Sequence, residues 1–260
     1  MTICITSGKG GVGKTSIAVN LALALAKKQS RVLIVDGDLG LANVDIFFGI
    51  AAADTIRDVL EKGREPITCV CFPRDGLGIL PAASGVPEMV SLGPEDQKLL
   101  ERYFSTLFSG FDIILIDTAA GIGASVLWFN SFVRNNLIII TPEPTSITDA
   151  YALIKILSKK LGRDRFHIIV NQSADAKEAK KIFEQFNCVA KSFLKVNLSF
   201  LGSLPTDPAV RQAVREQIPF LETAPGSQIT AAIFQIAQKI ATLDSRFEKN
   251  SQSLTIPAAI

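Results

Sequence analysis

Gly8-Lys9-Gly10-Gly11-Val12-Gly13-Lys14-Thr15 is the stretch that decides the fold of this chain. It matches G-x-x-x-x-G-K-[ST], follows an apolar strand and opens an apolar-faced helix, the context in which this pattern is a phosphate-binding loop. The glycines let the backbone curl around phosphates, so that several N–H groups and the helix N-terminus point at negative charge. The expected nucleotide-binding set here is Gly10, Gly11, Val12, Gly13, Lys14, Thr15 and Ser16. Lys14 reaches the β and γ oxygens, and Thr15 offers a hydroxyl to Mg²⁺.

Outward from the loop, residues 31–36, 111–117, 137–141 and 166–171 are apolar runs that end in a polar residue, as strands covered on both faces do. Between them, residues 16–28, 94–108, 147–161 and 175–186 carry helical spacing. The alternation predicts an α/β fold, a single doubly wound, mostly parallel sheet with helices on both faces. Residues 1–243 are expected to form one ATPase domain, closed by a helix over 228–243, with 244–260 a polar, loosely held tail. Ligands of such sheets bind at the carboxyl ends of the strands, so residues 8–15, 36–38 and 117–121 and Asn171 are expected to meet in one crevice.

Asp36 and Asp38 are spaced by two and can share one side of a strand end. Asp117 closes the run from Phe111 and leads into Thr118-Ala119-Ala120-Gly121, which reads as a Walker B acid and a small-residue turn free to move with a γ-phosphate. His167 is the single histidine and lies in an apolar strand, so it reads as core.

Bulk composition excludes more than it assigns. With 27 Lys and Arg against 25 Asp and Glu, the net charge of +2 gives no global field pointing to nucleic acid. Cys4, Cys69, Cys71 and Cys188 read as buried free thiols suited to a reducing compartment; if Cys69 and Cys71 share a strand, they share a face. No basic leader precedes an apolar segment, and no apolar run approaches the ~18 residues of a membrane span. A soluble, cytoplasmic protein is expected.

Lys9 lies inside the loop, where an ordinary phosphate loop requires no second cation. With it the motif resembles the deviant Walker A family of MinD, ParA and their relatives. The resemblance implies ATP/ADP and Mg²⁺ as cofactors and an ATP-dependent homodimer in which Lys9 reaches the partner's nucleotide, adding positive charge where the transition state spreads negative charge. It also implies that Asp38 orients the attacking water, that Asp36 supports Mg²⁺ or its shell, and that Asn171 with the loop of Pro205 and Asp207 lies on the adenine side. Lys9, Lys14, Asp38 and Asp117 are the implied catalytic set, with Thr15 and Asp36 at the metal.

Over nearly the whole chain the likeness is strongest to the flagellar-number regulators of that family (FlhG, also called FleN). It is carried by Asp38-Leu39-Gly40-Leu41-Ala42-Asn43-Val44-Asp45 and by residues 80–85, 117–122 and 143–155. That branch implies a slow ATP switch with flagellar switch proteins, a signal-recognition-type GTPase or a transcriptional regulator as partners. The amino-terminal extension through which some relatives stimulate the GTPase is not expected here. Ile229, Ile233, Ile236, Ala237, Ile240 and Leu243 form a stripe expected to pack on the core, and residues 246–260, with few cations and Pro257, match an interfacial membrane helix poorly. Peripheral membrane association is therefore weakly supported.

The alternatives are a positioning or partitioning ATPase at the division site, on DNA or on another cargo, with Lys177, Lys180, Lys181, Lys191 and Lys195 as a basic patch. Near-neutral charge makes DNA binding the lesser expectation. An iron-sulfur carrier would use a Cys-x-x-Cys or cysteines paired at a dimer axis, which the sequence does not offer. A small-molecule kinase fits the fold but not Lys9 and the 117–121 turn.

Overall fold

The computed structural model describes residues 1–86 and 92–243. The expectations placed on residues 244–260, the loose tail and the poor membrane helix, lie outside the described residues.

The described residues build an eight-stranded sheet. Its strands are β1 (Thr2–Ser7), β2 (Val32–Gly37), β3 (Cys71–Arg74), β4 (Leu77–Leu80), β5 (Ile113–Ala120), β6 (Asn135–Ile140), β7 (Arg165–Ser173) and β8 (Asn197–Pro205). They lie in the order β3-β4-β2-β5-β1-β6-β7-β8, with β3 antiparallel to β4 and the other neighbours parallel. Crossovers run through α1 (Lys14–Ala26), α2 (Ile56–Lys62), α3 (Pro94–Phe108), α4 (Ala124–Phe132), α5 (Pro144–Leu161) and α6 (Ala176–Leu194). After β8 come α7 (Pro208–Glu216), α8 (Phe220–Thr223) and α9 (Gln228–Ala241).

Alternation along each strand sorts side chains into two layers. Ile3, Ile5, Val32, Ile34, Ile113 and Leu115 join α1 and α9 in one core. Cys4, Leu33, Val35, Ile114 and Ile116 face α2, α3 and α4 on the other side. Farther along that side, Ile138, Ile140, Ile168 and Val170 meet α5 and α6. α1 is buried almost all round, because α9 covers the flank that the sheet leaves open, and its apolar residues run without the one-sided pattern of a surface helix.

Several boundaries differ from the periodicity reading. β5 runs on to Ala120, so Thr118, Ala119 and Ala120, read as a turn after Asp117, belong to the strand. α5 begins at Pro144, whose fixed φ suits the first helical turn, so the helix starts ahead of residue 147. α6 continues to Leu194 rather than ending at 186, because Ala190 extends its buried face. β3 and β4 are four residues each, joined by a tight turn at Asp75-Gly76, too short for a clear period of two. Cys69 falls in the 3₁₀ turn Pro66–Cys69 and only Cys71 enters β3, so the premise that the pair shares one strand face does not hold; both thiols are free.

Candidate functional site

The loop after β1 is held from three sides. The Ser7 hydroxyl donates to the Lys9 carbonyl at 2.7 Å. Gly8 runs against the start of α5: a Cβ there would sit 2.2 Å from the carbonyl carbon of Asp149 and 2.7 Å from the Ala150 nitrogen. At the far end, Gly13 adopts φ 89°, and a Cβ would come within 2.6 Å of the Asn171 amide nitrogen. That same nitrogen donates to the Val12 carbonyl at 2.8 Å. Asn171, from β7, thus stitches the loop to the sheet through its N–H group and leaves its amide oxygen as an acceptor.

Lys14 and Thr15 open α1 beside the end of β5. Burial lowers the Lys14 pKa, while the charges of Asp117 and Asp38 pull it back up. Asp117 is fully buried and its pKa is raised to about 6, chiefly by desolvation; a hydrogen bond from Thr15 and the charge of Lys14 work against that rise, and Asp38 adds to it. Asp117 Oδ1 has no hydrogen-bond partner.

Asp36 is also fully buried, with its pKa pushed up to about 7, first by desolvation and then by Asp117. Its Oδ1 accepts from the Asp38 N–H at 3.0 Å, and its Oδ2 from the N–H groups of Asn43 and Val44 at 2.9 and 3.0 Å. One carboxylate therefore gathers both ends of the 38–44 loop. Asp38, half-exposed, accepts from the Leu41 N–H at 3.1 Å. The loop is tied to residues 80–85 through Gly85 N–H to Gly40 O at 2.9 Å, and Gly121 is tied to Ser7 O at 2.8 Å.

Lys9 does not turn into this cluster. Its Nζ meets the Glu143 carboxylate and donates to Thr145 Oγ1 at 3.0 Å, at the start of α5. Periodicity gave no sign of this seat, although residues 143–155 stand out as a string that hydrolysis alone does not require. On the other side of the loop, Gly13, Ser16, Asn171, Pro205 and Asp207 line a cavity of about 170 Å³ with Val210, Arg211 and Phe220. Asp207 caps α7 by accepting from Ala209 N–H at 2.9 Å, and Asn20 Oδ1 accepts from Leu221 N–H at 2.8 Å, which fastens α8 to α1. The last three lining residues and Asn20 carry no motif and were not among the expected site residues.

Chemically, the site offers backbone donors, a buried ammonium and a hydroxyl beside an unpartnered carboxylate oxygen. The Thr15 hydroxyl and Asp117 Oδ1 suit a hard cation completed by water and phosphate oxygens, as Mg²⁺ is bound. Among the described residues no group of three or more His, Cys, Asp or Glu forms a metal cage, and Mg²⁺ of this kind needs none.

The family model described as "ParA: NUBPL iron-transfer P-loop NTPase" matches residues 1–241. The chain is 42% identical over 238 residues to the antiactivator FleN of Pseudomonas aeruginosa, covering 92% of this chain and 85% of that protein. It is 36% identical to the flagellum site-determining protein YlxH of Helicobacter pylori, covering 90% and 80%. Among solved structures it resembles the cell division ATPase MinD of Pyrococcus furiosus, at 27% identity and TM-score 0.78, covering 93% of this chain and 98% of that one. The septum site-determining MinD of Pyrococcus horikoshii, complexed with Mg-ADP, aligns at 25% identity and TM-score 0.78, covering 95% and 98%.

Proposed function

This chain belongs to the ParA/MinD family of P-loop ATPases, and from that premise we propose that it is an ATP-dependent dimeric switch that sets the number or placement of flagella. Its cofactors are ATP or ADP with Mg²⁺. The observation that carries the switch reading is the division of labour between two lysines of one loop. Lys14 is buried between Asp117 and Asp38, whereas Lys9 lies on the outer side, held by Glu143 and Thr145.

In this reading Lys14 and the loop N–H groups would hold the β and γ phosphates, and Thr15 and Asp117 would hold Mg²⁺, which when bound would supply positive charge beside the phosphoryl oxygens. Asp38 orients the attacking water. Asp36, whose oxygens already receive three backbone N–H groups, positions Asp38 and supports the metal shell. Asn171 presents its amide oxygen to the exocyclic amine of adenine, beside Pro205 and Asp207. On dimerisation Lys9 leaves Glu143 for the nucleotide of the second chain. Partners of FleN and YlxH type, regulators or structural proteins of the flagellum, follow from the likeness to those two proteins.

Light scattering with parallel phosphate release tests this on the wild type and Asp38→Ala, without nucleotide, with ADP, and with ATP plus Mg²⁺. The expected result is an Asp38→Ala protein that is dimeric only with ATP and releases no phosphate. A variant that stays monomeric and hydrolyses ATP at the wild-type rate refutes the roles given to Lys9 and Asp38 together.

A further inference from the structure

From Ile17 to Ala26, α1 is apolar at every position but one. The exception is Asn20, 1% exposed, and its amide joins two elements. Its Nδ2 donates to the Ser16 carbonyl at 2.8 Å, one turn back, and its Oδ1 accepts from the Leu221 N–H at 2.8 Å. A backbone carbonyl takes only the nitrogen end of an amide and a backbone N–H only the oxygen end, so the partners fix the orientation of the group. Burying an amide costs free energy unless its hydrogen bonds are met, and an apolar side chain of similar size would pack α1 as well. What Asn20 adds over such a side chain is its hold on α8.

That hold ends at the nucleotide cavity. Ser16 and Phe220 both line it, with Val210 and Ile229 beside them. Phe220 belongs to α8, a helix of four residues, too short to keep its place through its own backbone bonds. Contacts to other elements fix it instead. Leu221 is tied to Asn20 in the interior, and Glu222 is gripped by Arg74 at the surface, at 2.7 and 2.8 Å. Solvent weakens an ion pair of the second kind, whereas losing a buried hydrogen bond leaves an N–H unsatisfied. The Asn20 bond therefore dominates the placement of Phe220. The phosphate loop has separate fastenings, at Ser7, Gly8 and Asn171.

We propose that Asn20 is a positioning residue for the nucleoside half of ATP. Through Leu221 it fixes where Phe220 stands in the cavity wall, and that placement sets how much of the nucleotide affinity comes from the base rather than from the phosphates. The proposal rests on the reading that adenine sits beside Asn171, Pro205 and Asp207. An apolar, aromatic wall gives a planar base a surface to pack on, while Asn171 supplies a polar contact at its edge. Such packing is sensitive to placement, because a gap of about 0.5–1 Å forfeits roughly a quarter to a half of the dispersion attraction.

Calorimetric titration of the full chain with Mg-ADP and with Mg-pyrophosphate separates the two halves of the ligand. The comparison runs over the wild type, Asn20→Leu, Asn20→Asp and Phe220→Leu. Asn20→Leu is expected to weaken Mg-ADP at least about tenfold and to leave Mg-pyrophosphate within about twofold. Asn20→Asp, which keeps an oxygen for the Leu221 N–H, is expected to recover most of that loss. Phe220→Leu, which leaves Asn20 in place, is expected to weaken Mg-ADP alone, by about threefold or more. Should Asn20→Leu fail to fold, Phe220→Leu carries the test. An Asn20→Leu protein that weakens both ligands equally, or neither, overturns the proposal, as does an unchanged Phe220→Leu or an Asn20→Asp no better than Asn20→Leu. A wild type that binds Mg-ADP no more tightly than Mg-pyrophosphate overturns the adenine-side reading as well. A clear contribution of the base in the wild type that survives Asn20→Leu and Phe220→Leu removes this proposal alone.

Discussion

Glu143 and Lys9 face each other on a half-open surface, their side chains 58% and 36% exposed. Ion pairs that wet contribute ~0–1 kcal/mol, so this contact holds Lys9 in the single chain without trapping it. Glu143→Ala should therefore lower the ATP concentration needed for dimerisation by a few-fold, up to about fivefold for a 1 kcal/mol contact, read by light scattering against ATP. A variant that needs more ATP than the wild type would show that Glu143 assists the dimer instead. Gly8 lies at the other extreme. A methyl group there meets the α5 backbone at 2.2 Å, which no side-chain rotation relieves, so Gly8→Ala should cost more than about 3 kcal/mol in urea unfolding and abolish nucleotide binding. The loop, Asp38, Asp117 and Asn171 stood out in the sequence because each lies at or near the carboxyl-terminal part of a strand, where a polar residue follows an apolar run. The seat of Lys9 did not, since its partners lie 134 and 136 residues away and only the neighbouring order of β1 and β6 brings α5 beside the loop.

Elements were legible where one period dominates. Strands β2, β5, β6 and β7 announce themselves as apolar runs because both faces of the sheet are covered, and α3, α5 and α6 do so through one-sided spacing. β3, β4 and the short helices after β8 lack a sustained period, and tertiary contacts set them: the Arg74 guanidinium grips Glu222 of α8 at 2.7 and 2.8 Å and lies over the Phe48 ring. α9 illustrates how burial settles a reading that periodicity leaves open. Ile229, Ile233, Ile236, Ala237 and Ile240 could face a core or a lipid surface; here they pack on α1 and β8 and are almost fully buried. Ile233→Ala should accordingly cost about 3 kcal/mol in global unfolding, with the cavity left in the core adding to the lost burial. A loss under about 0.5 kcal/mol would mean that α9 is only loosely docked and free to act as a surface helix.

At the scale of the whole molecule, the nucleotide site shows up as a pH dependence of stability. Asp36 and Asp117 titrate near about 7 and about 6 in the folded chain and near 3.8 when unfolded. Across the interval between those values the folded state holds two protons that the unfolded chain has released, so stability falls as pH rises. His167 acts in the opposite sense: burial lowers its pKa below 6.5, the unfolded chain takes up a proton that the folded one refuses, and stability falls as pH drops. Two carboxyl groups outweigh one imidazole, which leaves roughly one net proton on the folded side near pH 5. The slope is then a loss of about 1.4 kcal/mol per pH unit on raising the pH. Asp58, held at about 2 by Lys62, stays outside this interval, because its contribution is complete above pH 3.8 and is lost only as pH falls towards 2. Arg31 holds Asp112 down in the same way, which places its effect on the acid side too. Urea midpoints of the nucleotide-free protein should therefore fall from about pH 4.5 to 6. Saturating Mg-ADP should flatten the slope, because a cation beside Asp117 favours the ionised carboxylate and removes its share of the proton uptake. A nucleotide-free slope that is flat or rising would show that the two acids are already ionised in the folded chain. A falling slope that Mg-ADP leaves unchanged would place the metal away from Asp117 and return the Mg²⁺ assignment to Thr15 and water alone.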